Sequence, residues 1–227
     1  MSKTPDSLRL FEADVVSCER CQRLRRHCIE IGEIKRRAYR DQDYWARPVP
    51  SFGDPQARLL ILGLAPGAHG ANRTGRLFTG DKSGEWLYRA LYENGFASQA
   101  ESVSRGDGLA LKDCYITASV RCAPPDNKPT PAEFAKCRPF LIRELKLLTK
   151  VKVVVCLGRL AFDTYLSVLQ GEGRIASRSA FRFEHGGMHA LTPLLISSYH
   201  PSQQNTSTGR LTREMLHGVF ASARANL

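Results

Sequence analysis

Four short apolar runs divide the chain, and each is followed by a stretch in which apolar residues recur at helical spacing. The runs are short and rich in branched residues, which is typical of strands buried on both faces. They cover residues 57–62, 114–120, 151–157 and 193–198. The helical patterns begin near Ser83, Thr130, Arg159 and Gly209. This repetition predicts an α/β fold with three layers, α/β/α, around a short parallel sheet of about four strands, in a single domain over residues 1–227.

The regions between these units have their own signals. Residues 1–50 form a polar, arginine-rich N-terminal extension, in which a helix is expected over Leu8–Leu24. Thr130, Pro131 and Glu133 have the order of a capping box, and their helix should run to about Lys150. Residues 171–189 look like a mobile basic loop or hairpin, with His185 and His189 in solvent. A final helix is expected from Gly209 to about Asn226.

A long loop, Gly63 to Asp81, leaves the first predicted strand and leads into a helix. Five glycines allow the backbone to approach a ligand closely, and the loop also carries polar side chains. In open α/β sheets, ligands bind at the carboxyl ends of the strands. The loop has neither the lysine of a phosphate-binding P-loop nor the glycine spacing of a dinucleotide fold. It therefore predicts a binding site of another kind.

Charge and composition narrow the choice of partner. The net charge is +11 and the isoelectric point about 9.6, which favours a polyanion, nucleic acid first. No apolar run approaches the roughly 20 residues that a membrane span requires. The N-terminus has no apolar signal segment, so we expect a cytosolic protein, and a monomer.

Seven cysteines in a cytosolic protein suggest metal ligands or core residues rather than disulfides. Cys18 and Cys21 form a C-x-x-C pair, while Cys122 and Cys137 lie after a strand and on a helix. Four thiolates suit structural zinc or a [4Fe–4S] cluster, and the spacing does not choose between these and free thiols. Cys114 and Cys156 lie in predicted strands and are expected in the core. Cys28 is left without a ligand role.

Two residues at strand ends are candidates for chemistry. Asp81 precedes a helix, so it is either a carboxylate stabilised by the helix dipole or a general base at the crevice. His200 directly follows the fourth strand and is held by Pro201, which favours contact between a ring nitrogen and a ligand oxygen. His69 lies in the loop after the first strand as a further candidate.

Two more side chains suit recognition of a base. Asn127 is an amide on a proline-stiffened loop, able to donate and accept at once, although asparagine is also a common turn residue. Phe78 stands among glycines and polar residues, where it serves either as a plug on the core or as a stacking platform.

Longer motifs now connect these residues. They are Gly63-Leu-Ala-Pro-Gly67, Asn72-Arg-Thr-Gly-Arg-Leu-Phe-Thr-Gly-Asp81, Arg121-Cys-Ala-Pro-Pro125 with Asn127-Lys-Pro-Thr130, and His200-Pro-Ser202 with Thr208-Gly-Arg-Leu-Thr212. Together they resemble the family 5 uracil-DNA glycosylases, over roughly Cys18 to Thr212. The family 4 enzymes are less similar, since they carry glutamate where this chain has Leu64.

The resemblance implies a glycosylase fold and an enzyme that flips uracil, or other deaminated bases such as hypoxanthine, out of DNA and hydrolyses the N-glycosidic bond, leaving an abasic site. It also implies roles for residues. Phe78 would stack on the base, Asn127 would read its edge, and His200 would hydrogen-bond the base oxygen. Asp81 would orient water or stabilise the cationic sugar. The resemblance assigns this role to Asp81 because Ala65 occupies the position where related branches carry a polar residue.

The remaining implied assignments follow from position in the same motifs. Base contacts are expected from Gly67, Ala65, His69 and Asn72; DNA contacts from Arg73, Arg76, Ser202, Asn205 and Arg210; and ligation of a structural [4Fe–4S] cluster from Cys18, Cys21, Cys122 and Cys137. The residue that fills the gap left by the flipped nucleotide stays open. Two alternatives are a catalytically silent iron–sulfur protein that binds damaged DNA and an electron-transfer protein, but neither accounts for Asp81, Asn127 and His200 together.

Overall fold

A computed structural model describes residues 7–227 and places six strands in one mixed sheet. The strands are Phe52–Gly53 (β1), Leu59–Gly63 (β2), Cys114–Ala118 (β3), Val153–Leu157 (β4), Met188–His189 (β5) and Leu194–Ser198 (β6). Their order is β1-β3-β2-β4-β6-β5. The four central strands are mutually parallel, as the apolar runs predict. The expectation of about four strands was too low, because β1 and β5 add short antiparallel edges.

Side chains alternate between the two faces of the central strands, so each face has its own core. One face carries Leu59, Ile61 and Val155, and the other carries Leu60, Leu62 and Val154. Cys114 and Cys156 are fully buried on opposite faces, which confirms that both are core residues.

Helices cover both faces and complete the three layers. Within residues 7–227 they are Leu8–Val16 (α1), Gln22–Ile34 (α2), Ala71–Thr74 (α3), Lys82–Glu93 (α4), Pro131–Leu147 (α5), Arg159–Gly171 (α6), Gln203–Ser207 (α7) and Arg213–Ala225 (α8). Helices α4 and α8 pack on one face, and α5 and α6 on the other. The capping box at the start of α5 is present as predicted. Among the described residues, no helix is both long enough and apolar enough to cross a membrane.

The N-terminal part differs from the continuous helix expected over Leu8–Leu24. Helix α1 ends before Ser17, and α2 begins after Cys21, so the C-x-x-C pair lies in the turn between two helices. Helix α1 packs on α5 through Phe11 and Phe140, whose rings meet edge to face. Helix α2 is anchored separately, through Leu24 and Cys28, which are buried in a cluster with Cys122 and Cys137.

One other predicted boundary was wrong. The last helix begins at Arg213 rather than Gly209, because Gly209 has a left-handed backbone conformation and Thr212 caps the helix. The basic loop of residues 171–189 is partly built into the sheet, since β5 lies at its end and pairs with β6.

Candidate active site

Phe78 and His200 meet at the carboxyl ends of the central strands. Their ring centroids are 5.8 Å apart, with 30° between the ring planes. Gly63 ends β2, and a Cβ atom there would lie 2.9 Å from the Phe78 ring. Gly158 follows β4, and a Cβ atom there would lie 3.2 Å from Cβ of His200. The two glycines therefore leave the space that these rings occupy, a role that the sequence reasoning missed.

Asp81 is placed at the start of α4, beside the same loop. Its Oδ1 accepts a hydrogen bond from the Gly84 amide at 3.0 Å, so the capping role is real. Its Oδ2 is directed at Gly67 and Gly70. A Cβ atom at Gly70 would collide with this oxygen. Burial raises the pKa of this carboxyl, and the Ser83 and Gly84 amides and Arg73 oppose the rise. Asp81 combines a structural bond with a second carboxylate oxygen that faces the glycine-lined loop.

His200 is held in place from its C-terminal side. Burial lowers its pKa to about 4, so the imidazole is neutral at physiological pH. The side-chain amide of Asn205 donates to the His200 carbonyl at 2.8 Å. Ser202 caps α7 by accepting a bond from the Asn205 amide at 3.3 Å. Ser202 and Asn205 thus shape the loop that presents His200.

His185 is not solvated as expected but supports this loop. Its Nδ1 accepts a hydrogen bond from the Tyr199 amide at 3.2 Å, while Nε2 lies 3.2 Å from the Met215 carbonyl. Its ring also lies against Tyr199, with centroids 5.2 Å apart. His189 is likewise packed between aromatic rings and not free in solvent. No local pattern in the sequence signals either contact, because the partners come from other parts of the fold.

Arg73, Asn72 and His69 are packed inside the loop. The Arg73 guanidinium donates to the carbonyls of His69 and Gly80, both at 2.8 Å. Asn72 is fully buried; its Nδ2 donates to the Cys28 carbonyl at 3.2 Å, and its Oδ1 has no partner among the described residues. The ring of His69 bonds Tyr44 through Nδ1 at 2.9 Å. These side chains connect the loop to the N-terminal extension.

Arg76 lies in a separate buried network. Its guanidinium forms an ion pair with Asp107 at 2.6 Å and donates to Ser102 and Thr79. Its side chain is only 3% exposed, so these contacts favour a structural role over direct contact with DNA. The pairing with Asp107 lowers the pKa of that carboxyl.

Other sequence-predicted residues lie closer to the surface. Asn127 is exposed on its proline-rich loop, where it and Asp126 both have positive φ values. Arg210 is exposed and lies over the Tyr199 ring at 4.6 Å. Gly67 begins the turn into α3, where its carbonyl accepts bonds from later amides. Ala65 packs against the cysteine-lined cluster described next.

Cys21, Cys122 and Cys137 share one packed cluster at one pole of the molecule, and Cys18 is close enough to raise the pKa of Cys21 and Cys137 electrostatically. Burial is the larger cause of the raised pKa in both thiols, bringing Cys137 to about 11. Within residues 7–227, no three Cys, His, Asp or Glu side chains are grouped so as to hold a metal ion as they stand. The donor chemistry of four soft thiols at one pole still fits a cysteine-ligated centre. Cys28 lies in the same cluster, with its thiol 3.7 Å from the Ala123 carbonyl.

A buried ion pair lies beside this pole. Arg121, next to Cys122, donates to Glu144 at 2.6 Å, and both side chains are at most 2% exposed. Glu144 is on α5, which also carries Cys137. Ser51 and Thr117 complete the network. It ties the two segments that carry Cys122 and Cys137 to each other.

Comparison with known proteins gives a consistent result. The family model of the uracil DNA glycosylase superfamily matches residues 50–224. A type-5 uracil-DNA glycosylase of Thermus thermophilus is 50% identical over 216 residues, covering 94% of this chain and 95% of the relative. One of Pyrobaculum aerophilum is 43% identical, covering 95% and 92%. A type-4 enzyme of Archaeoglobus fulgidus is 31% identical over 158 residues, covering 68% and 70%. The chain belongs to the uracil DNA glycosylase superfamily and, within it, to the type-5 uracil-DNA glycosylases.

Proposed function

We propose that this protein is a DNA repair glycosylase that removes uracil from DNA by hydrolysing its N-glycosidic bond. The observation that carries the proposal is the meeting of Phe78 and His200 at the strand ends, beside the loop that Asp81 faces. The activity of the type-5 relatives, which are named as uracil-DNA glycosylases, supports the same conclusion. The base must leave the stack to reach this site, because the bond is inaccessible in a duplex.

Each residue then has a defined task. The flipped base stacks on Phe78, while the neutral imidazole of His200 donates a hydrogen bond to the base oxygen on which negative charge grows. A neutral donor suits this step, and the low pKa of His200 keeps the ring neutral. Asn127 reads the polar edge of the base, and Gly67 and Ala65 offer the close approach of backbone.

Asp81 acts on the sugar side of the bond. Its Oδ1 is committed to the Gly84 amide, so Oδ2 is the atom that orients the attacking water or stabilises the cationic sugar. The proposed reaction uses water and no amine nucleophile. It therefore ends at an abasic site, as in a monofunctional glycosylase. We expect Arg210, with the loop of Ser202 and Asn205, to contact the DNA strand. Arg73 and Arg76 are engaged inside the protein and are left out of this contact.

Cys18, Cys21, Cys122 and Cys137 would hold the [4Fe–4S] cluster. When bound, the cluster supplies a covalent crosslink between the N-terminal helices and α5, and no bond-breaking step. The residues themselves already place α2 against the start of α5, since Arg23 forms an ion pair with Glu133 at 2.7 Å. We also propose that the protein acts as a monomer in the cytosol, and that hypoxanthine is a second substrate.

The test is release of uracil from a labelled duplex with a single U·G pair, read as strand breaks. Breaks that appear only after alkali support a monofunctional glycosylase. Breaks without alkali contradict the monofunctional assignment. No breaks on uracil or hypoxanthine, with tight binding to the damaged duplex, would instead favour a silent damage-binding protein. Asp81→Asn and His200→Ala should both lose release while keeping the far-ultraviolet circular dichroism of the wild type.

A further inference from the structure

Arg73 carries a buried charge for which the described residues provide no carboxylate within salt-bridge distance. This differs from Arg76, three residues later, whose charge is matched by Asp107. A buried guanidinium is costly unless its donors are all used. In Arg73 three of the five N–H donors are used by neutral groups: the carbonyls of His69 and Gly80 and the side-chain carbonyl of Gln42, the last at 2.6 Å.

The two carbonyls lie on either side of α3 within the loop that leads to Asp81. His69 precedes α3, and Gly80 directly precedes Asp81. A Cβ atom at Gly80 would collide with the Arg73 guanidinium, so the backbone passes close to the charge at this point. A single planar side chain therefore connects the backbone before α3 to the backbone directly before Asp81.

The N-terminal extension completes this arrangement. Its residues 39–49, here called the strap, run along the outside of the loop. Gln42 accepts from Arg73, the Tyr39 ring lies 4.0 Å from the guanidinium carbon, and the Trp45 amide donates to the Arg73 carbonyl at 2.9 Å. The whole strap precedes residue 50, where the superfamily match begins.

We infer that Arg73 is a positioning residue for Asp81, locked by the strap, and that it acts on the reaction through the placement and charge state of that carboxylate. The inference rests on the proposed function, in which Asp81 acts on the sugar. It assigns no DNA contact to Arg73. The charged groups around Asp81 are Arg73 and Glu85, with Arg89, Glu101 and Arg213 lining the adjoining cavity of about 490 Å³.

The test compares Arg73→Lys and Arg73→Met in single-turnover release of uracil across pH, with binding to a duplex containing 2′-fluoro-deoxyuridine measured separately. Lysine keeps the charge but cannot span three acceptors, so release should slow on the order of 10–100-fold while duplex binding stays unchanged. Methionine also removes the charge that opposes protonation of Asp81. In the pH–rate profile of Arg73→Met, the acidic limb should therefore move to higher pH. The acidic limb of the Arg73→Lys profile should not move.

Arg224→Lys is the matched control. Arg224 also donates to a backbone carbonyl, that of Asn94 at 2.9 Å, and lies 3.6 Å from the Phe96 ring, but at the far end of α4 from Asp81. It should retain the wild-type rate and pH profile. Gln42→Ala removes one support of Arg73 without touching the loop, and it should slow release less than Arg73→Lys does.

The failures are distinguishable. If wild type and Arg224→Lys release no uracil, the proposed function fails and this inference with it. If wild type is active and Arg73→Lys matches it, or loses release only in proportion to duplex binding, the positioning role is wrong and the proposed function stands. An unshifted acidic limb in Arg73→Met would also overturn the inference.

Discussion

Replacing His200 with asparagine should remove a specific acid sensitivity from the fold. Burial lowers the pKa of His200 from 6.5 to about 4, so between these values the unfolded chain binds a proton that the native protein does not. The contribution of neutral His200 to the free energy of unfolding is therefore fully present above pH 6.5 and is lost as the pH falls toward 4. From the two pKa values, the loss at about pH 5 is about 2 kcal/mol of unfolding free energy.

Urea unfolding followed by tryptophan fluorescence measures this contribution. Wild type and His200→Asn are compared at about pH 7.5 and about pH 5, where the stability gap between them should change by about 2 kcal/mol in favour of the variant. Contributions from the partly buried His69, His185 and His189 are common to both proteins and cancel in the comparison. His200→Gln should behave like His200→Asn, whatever its baseline stability.

An identical gap at both pH values would show that His200 titrates normally and is not neutral by burial. A direct check is the imidazole Cε1–H resonance in the nuclear magnetic resonance spectrum, whose midpoint should be about 4. A midpoint near the ordinary value would also remove the argument that a neutral imidazole faces the departing base.

Three further results are expected. Glu144→Gln leaves Arg121 buried without its partner, so urea unfolding should show a loss of about 3–5 kcal/mol, and a normal stability would contradict the importance of this pair. Phe78→Leu should weaken uracil release, measured as kcat/KM, by about 1–3 kcal/mol through lost stacking, and an unchanged value would make Phe78 a core plug only. In purified protein, Cys137→Ser should lower the iron content and the visible absorption of an iron–sulfur cluster, while Cys156→Ala should keep both; iron-free wild type would contradict the cluster.

The centre of the sheet could be predicted because its strands are continuous apolar runs with buried side chains. The edges could not, since β1 and β5 are only two residues long and are defined by pairing with β3 and β6. The break between α1 and α2 was also missed: α1 ends with Ser17 as its C-cap, and α2 begins only after Cys21, so the Cys18–Cys21 turn interrupts the expected helix.

Within the site, strand-end position was sufficient to predict that His200 and the loop carrying Phe78 lie at the same end of the sheet. It was not sufficient for the arginines of the loop. Arg73 and Arg76 look alike in the sequence, and their roles depend on Gln42 and Asp107, both about 31 residues away along the chain. A long-range partner decides whether such a side chain faces DNA or stays inside.

The central claim is that this chain releases uracil through Asp81. The most direct measurement is chromatographic detection of free uracil from a single-uracil duplex under single-turnover conditions, with wild type and Asp81→Asn side by side. Wild type should release the base completely, and Asp81→Asn should release it far more slowly while binding the duplex normally. Equal rates for the two proteins would remove Asp81 from the reaction, and no free uracil from the wild type would contradict the proposed activity.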